Sequence, residues 1–333
     1  MSASPLLEVD GLTISLNMEA GLVALVDDVK FAIEPGDVVA LVGESGSGKS
    51  VTAQALLGLL PNNLAIHRGA IRFHSERLGA TVDLAQVPAD GPVMRRIRGN
   101  DIAMIFQEPM SSFSPVHTIG DHIVEVLRAH SAMSRKEMRT RAIEMLDRVQ
   151  IADPARAVDR YPHEFSGGMR QRAMIAKALA CNPALLVADE PTTALDVTIQ
   201  AQILELLREI QLEFGMAVLF ITHDLGVVAQ IADQVAVMYT GKLVEQGPKK
   251  EVFKAPRHPY TRELLAATPR IEELAGTGEL KSIRGNVPGL FDLPTGCTFH
   301  PRCDSFMVGK CDSRFPGEIE LEAGHRVSCF LYD

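Results

Sequence analysis

The chain has 333 residues, enough for about two domains or one core with an appendix. Its net charge of −9 argues against non-specific nucleic-acid binding, and 46% hydrophobic residues with no tryptophan is an ordinary globular balance. No run approaches the roughly 18–20 apolar residues of a membrane span, and Met1-Ser2-Ala3-Ser4-Pro5 lacks the basic and apolar regions of a signal peptide. These features predict a soluble, cytoplasmic chain.

Residues 6 to 42 read as short strands with turns at Gly11, Gly21 and Pro35-Gly36, the last strand covering 37–42. A helix from Lys49 to Leu60, stopped by Pro61, follows. Next come a strand over 69–74, a polar insert near 76–100 and a strand over 101–106. Thr118 with Asp121, and Ser134 with Glu137, are capping-box pairs, each ahead of apolar residues spaced for one helix face. They define an inserted helical subdomain of about residues 108–180. The α/β pattern resumes with a strand over 184–189 and a helix carrying Ile199, Ile203, Leu206, Leu207, Ile210 and Phe214, ended by Gly215. Strand 216–221, a short helix near 225–232 and strands 233–238 and 241–246 complete it. Alternating strands and helices imply a mostly parallel sheet covered on both faces. Past residue 268 the periodicity fades into a segment dominated by Pro, Gly and Cys.

The motif Gly43-Glu44-Ser45-Gly46-Ser47-Gly48-Lys49-Ser50, with Val51 after it, lies between a strand and a helix. Its glycines allow backbone N–H groups to point into a concavity that fits a phosphate, and the helix N-terminus adds partial positive charge. Lys49 would reach the β- and γ-phosphates and the Ser50 hydroxyl would ligate Mg²⁺. Asp189 and Glu190 end the strand 184–189: the first suits Mg²⁺, the second suits polarising a water for attack on the γ-phosphate. Gln107 ends strand 101–106 and suits sensing Mg²⁺ or water. His223 ends strand 216–221 and suits contact with the γ-phosphate. Ser166-Gly167-Gly168-Met169-Arg170-Gln171 opens a helix and reads as a second phosphate grip. Two grips for one triphosphate make sense when two chains share it.

Together these motifs resemble the nucleotide-binding domain of ABC transporters over residues 6–265. The resemblance implies a P-loop NTPase core with a mostly parallel sheet, an antiparallel β subdomain and the inserted helical subdomain. It also implies a dimer in which the signature at 166–171 of one subunit closes on ATP held by the other. Ala194-Leu195-Asp196 is similar to the D-loop at that seam. Phe106-Gln107-Glu108-Pro109 with residues 111–115 is similar to the Q-loop that passes motion to a transmembrane permease. Family members often stack adenine on an aromatic residue before the phosphate loop, and residues 11–30 contain none.

His258-Pro259-Tyr260-Thr261-Arg262 with Leu264, Leu265 and Pro269, and Gly296-Cys297-x-Phe299-His300-Pro301-Arg302-Cys303, are similar to the C-terminal extension of oligopeptide and dipeptide importer ATPases. That extension is expected over 266–333. The implied activity is ATP hydrolysis coupled to solute import at the cytoplasmic face of the inner membrane. The implied partners are permease subunits, a second similar ATPase as heterodimer or homodimer and, indirectly, a solute-binding protein. Peptides are the expected solute, with nickel, opines or sugars as alternatives. A soluble ABC ATPase of translation or DNA maintenance is the competing reading; it fits less well with one cassette and no long insert. Cys297, Cys303, Cys311 and Cys329 crowd the tail of a chain read as cytosolic, where disulfides are disfavoured and a metal site is the default. Zinc is one candidate, although no Cys-x-x-Cys knuckle is present. Irregular spacings suit an iron–sulfur centre better, and the resemblance favours a [4Fe–4S] cluster.

Overall fold

The computed structural model describes residues 4–18, 21–107, 113–193, 195–268, 283–322 and 324–333. In chain order the elements are β1 (Leu7–Met18), β2 (Gly21–Ile33), β3 (Val38–Val42), α1 (Lys49–Leu56), β4 (Leu64–Ser75), β5 (Ala80–Asp83), α2 (Pro92–Ile97) and β6 (Ile102–Ile105). Then come α3 (Ile119–His130), α4 (Arg135–Arg148), α5 (Pro154–Ala157), α6 (Gly167–Leu179), β7 (Leu185–Asp189), α7 (Val197–Phe214) and β8 (Ala217–Thr222). The last are α8 (Leu225–Ile231), β9 (Gln234–Tyr239), β10 (Lys242–Pro248), α9 (Lys249–Lys254), α10 (Pro259–Ala267), β11 (Ile319–Glu322) and β12 (His325–Val327). The described residues divide into two compact units, one within 1–6, 33–37 and 73–221, the other within 7–32, 38–72 and 222–333.

In the first unit β6, β7 and β8 run parallel, with Ile102 opposite Leu185 and Leu185 opposite Ala217. All five residues of β7 and all six of β8 are buried, as expected of strands covered on both faces. Helices α3, α4 and α6 pack on one another. Both expected capping boxes form. The Asp121 N–H donates to Thr118 Oγ1 at 3.1 Å and the Thr118 N–H to Asp121 Oδ2 at 3.2 Å. The Ser134 N–H donates to Glu137 Oε2 at 2.7 Å. Asp196 caps α7 through the Ile199 N–H at 2.9 Å, and Gly215 ends it at φ 62°.

In the second unit β3 and β9 pair in parallel, then β10, β12 and β11 follow with antiparallel ladders. β1 lies between β2 and β4 in a separate sheet. Three expectations change here. The short strands expected over 6–42 include two long ones, β1 of 12 residues and β2 of 13. The helix expected to reach Leu60 stops at Leu56, because Gly58 adopts φ 60° and the Leu59 N–H turns back to the Gln54 carbonyl at 2.9 Å. A left-handed glycine ends a helix before the proline can. Finally, the tail contributes strands: β12 extends the sheet at β10, with Glu245 opposite Val327. Among the described residues no helix is long and apolar enough to cross a membrane.

Candidate functional site

The phosphate loop is built by close packing around its own lysine. A Cβ on Gly43, at φ 155°, would lie 2.1 Å from the Met238 carbonyl oxygen, so only glycine fits where the loop leaves β3. Lys49 is 6% exposed, and its ammonium donates to the carbonyls of Gly43 at 2.8 Å and Glu44 at 3.0 Å and to Ser47 Oγ at 3.2 Å. The loop is thus curled around a buried cation, with Ser45 and Gly46 on its exposed crest. Ser50 and Val51 follow Lys49 in the first turn of α1. His223 is exposed in the same unit. Its neighbours fix the backbone: Asp224 Oδ1 accepts from Gly226 at 2.8 Å, and Thr222 Oγ1 accepts from the Asp224 N–H at 3.0 Å.

In the first unit, Asp189 closes β7 and is buried. Glu190 follows it in a left-handed conformation, φ 46°, with its N–H donating to the Ile221 carbonyl at 2.9 Å. A non-glycine residue there carries strain that surrounding contacts must hold. Gln107 Nε2 and Thr193 Oγ1 both donate to Glu190 Oε2 at 2.9 Å. Gln107 and Glu190, singled out separately in the sequence, are therefore brought together. Thr193 is an addition, concealed in sequence by its ordinary turn context.

The signature also forms as expected locally. Ser166 caps α6, with its Oγ accepting from the Met169 N–H at 3.3 Å. Gly168 is required by packing, since a Cβ would come 2.9 Å from Ile199 Cγ2. At Gly167 a Cβ would meet nothing within 4 Å, so that face is open. Arg170 donates to the Pro162 carbonyl at 3.5 Å, and Gln171 is buried. Leu195 and Asp196 lead into α7, whereas Ala194 and the Q-loop residues Glu108, Pro109 and 111–112 lie outside the described residues, as does Pro269. Phe106, the residue before Gln107, lines a cavity of about 350 Å³ together with Met104, Val126, Met174 and Lys177.

Cys297, Cys303, Cys311 and Cys329 line one small cavity with Phe299, Met307, Pro316 and Phe330. Burial, and then the neighbouring thiols, push Cys297 up to about 12. Burial likewise pushes Cys303 up to about 11. As bare thiols they stay protonated at neutral pH. The donors fit a thiophilic centre in kind and number. Yet among the described residues no three His, Cys, Asp or Glu side chains form a group able to hold one metal ion. That absence favours neither zinc nor an iron–sulfur centre over the other.

Residues outside the expected set complete the second unit. Arg302, in the tail, makes a two-pronged contact with Glu44 of the phosphate loop at 2.8 and 3.1 Å. Tyr260 Oη accepts from the Glu44 N–H at 2.9 Å. Both lie in tail segments that the sequence marks, but 216 and 258 residues from Glu44 nothing in the sequence pairs them with the loop.

The ABC transporter family model matches residues 26–193, and the model for the oligopeptide/dipeptide transporter C-terminal region matches residues 244–311. The dipeptide transport ATP-binding protein DppD of Bacillus subtilis is 49% identical over 98% of this chain and 95% of its own length. A Brucella melitensis protein named for peptide import is 54% identical over 100% and 98%. Among solved structures, a dimeric ATP-binding cassette in a post-hydrolysis state with ADP and Pi matches at TM-score 0.62 and 26% identity, covering 73% of this chain and 98% of that one. The protein cbiO1 of Clostridium perfringens, described as part of an ABC transporter complex, matches at 0.63 and 28%, covering 76% and 92%. None of these speaks for the translation or DNA-maintenance alternative. The chain belongs to the ATP-binding subunits of ABC transporters, in the oligopeptide/dipeptide transporter family, and is an ATP-hydrolysing transport subunit.

Proposed function

We propose that this subunit binds MgATP on the loop 43–51 and, as one of two cassettes, couples its hydrolysis to peptide uptake through a permease. The observation that carries the catalytic assignment is the Glu190 carboxylate, held on a left-handed backbone by Gln107 and Thr193. A carboxylate oriented by two donors suits general-base work on a water. Lys49 and the loop N–H groups hold the phosphates, and His223 contacts the γ-phosphate. Ser50, Gln107 and Asp189 are assigned to Mg²⁺, which supplies charge neutralisation at the phosphates. Ser166 to Gln171, with the open face at Gly167, serve the nucleotide of a second, similar subunit, and Ala194 to Asp196 the seam. Making hydrolysis wait for closure suits coupling to motion.

The apolar cavity lined by Phe106, which is itself exposed, supports docking to permease subunits. The chain is then peripheral at the cytoplasmic face of the membrane. The peptide assignment rests on relatives named for peptide import and dipeptide transport. A solute-binding protein is the indirect partner. For the tail, the four thiols on one cavity support a [4Fe–4S] cluster held by Cys297, Cys303, Cys311 and Cys329. Its contribution is to cross-link a segment poor in regular structure.

The test is co-expression with the neighbouring permease genes and reconstitution with the cognate binding protein. Dipeptide-loaded binding protein should raise ATP turnover several-fold; turnover indifferent to peptide overturns the solute assignment. Iron and sulfide near four per chain, lost on Cys303→Ser, support the cluster. Stoichiometric zinc, or no metal, overturns it.

A further inference from the structure

A carboxylate inside a phosphate-binding loop is an electrostatic liability, because it faces the same charge the loop must attract. Glu44 is such a group, and the structure answers it with one guanidinium. Arg302 has a side chain 5% exposed. It sits in the short turn His300–Arg302, immediately before Cys303. Its Nη1 donates to Glu44 Oε2 at 2.8 Å and to Tyr239 Oη at 3.2 Å, and its Nη2 donates to Glu44 Oε1 at 3.1 Å. Its Nε donates to the Arg284 carbonyl at 2.8 Å. All three guanidinium nitrogens donate, two of them bidentately to Glu44, a geometry that lysine cannot copy.

The main chain of the loop is held from the same side. Tyr260 Oη accepts the Glu44 N–H at 2.9 Å, and its ring packs 4.6 Å from Tyr239 and 5.3 Å from Phe299. The guanidinium lies 5.8 Å from the Tyr239 and Phe299 rings. A rigid aromatic wall thus fixes the fork.

We propose that Arg302 is a positioning residue of the nucleotide site: it acts through Glu44, cancelling that carboxylate and holding the phosphate loop in the form that receives MgATP. The inference rests on the reading above that residues 43–51 hold the triphosphate. It makes the C-terminal extension part of the ATP site.

The experiment uses the full chain and measures the Kd of a fluorescent ATP analogue with Mg²⁺, together with KM and kcat for ATP. Arg302→Met should raise Kd and KM about tenfold, with kcat at saturation changed less than about twofold. Arg302→Lys, which keeps charge without the fork, should weaken binding about threefold. The double variant Arg302→Met/Glu44→Gln should recover most of the lost affinity, because no unpaired carboxylate remains; a purely structural role would give no recovery. Wild-type Kd in both single Arg302 variants, or a double variant no better than Arg302→Met, overturns the proposal. If Arg302→Met does not fold, Arg302→Lys and the double variant decide it: wild-type affinity in Arg302→Lys overturns it. Lys49→Ala separates the two readings. Loss of nucleotide binding there keeps the phosphate-loop assignment whatever Arg302 does, whereas retained binding overturns that assignment.

Discussion

The phosphate loop and the Glu190–signature region are built to opposite specifications. The loop is pinned: Lys49 is buried inside it, Tyr260 takes a loop N–H and Arg302 takes the Glu44 carboxylate. The Glu190 and signature region is more exposed. Gln107, Ser166 and Gly167 are exposed, and space is open where Gly167 lacks a side chain. Groups that only bind gain from being pre-organised, since less ordering remains when the ligand arrives. Groups that must meet a second subunit gain from being left open, because closure then gates the chemistry.

The sharpest way to break this contrast is Glu190→Gln. Turnover should fall by about a hundred- to ten-thousandfold while ATP stays bound and a closed dimer accumulates, measured by phosphate release and by size-exclusion chromatography with ATP. Undiminished hydrolysis would remove Glu190 from catalysis and leave the strained backbone without a purpose. A mid-sized effect is expected from the pinned side. His258 is fully buried, which lowers its pKa from 6.5 to about 3, and Nδ1 accepts the Tyr260 N–H at 3.1 Å. Between those values the unfolded chain takes up a proton that the folded chain refuses. The contribution of His258 to stability is therefore fully present above pH 6.5 and is lost progressively as acid carries the chain toward pH 3. Denaturant unfolding at several pH values should show stability falling with acid more steeply in the wild type than in His258→Gln; equal slopes would refute the assignment. The smallest effect belongs to Ser45→Ala on the exposed crest of the loop, where stability should shift by less than about 0.5 kcal/mol and KM should hardly move. A large loss of affinity would show that the crest, and not the pinned base, grips phosphate.

What was legible in the sequence was what neighbouring residues decide. The capping boxes at Thr118 and Ser134, the buried strands before Asp189 and His223 and the stop at Gly215 are local events, and each forms where the pattern placed it. The end of α1 was misplaced because Gly58 and Pro61 offered competing stops, and the left-handed turn at the glycine comes first. The strands β11 and β12 are too short for a period to show, and their pairing with β10 is settled by tertiary contact. In the candidate site, each motif could be picked out alone. The Gln107–Glu190 bond, the Thr193 support and the Arg302 fork depend on how the chain folds back, which spacing does not encode.

The 258-residue separation between Glu44 and Arg302 also has a consequence for how the molecule is made. At roughly 5–20 residues per second, the guanidinium leaves the ribosome some 13 to 52 s after the loop it steadies. During that interval the nascent loop carries its Glu44 carboxylate without this guanidinium, so on the proposal above the loop gains its full affinity for nucleotide only after residue 302 has been made.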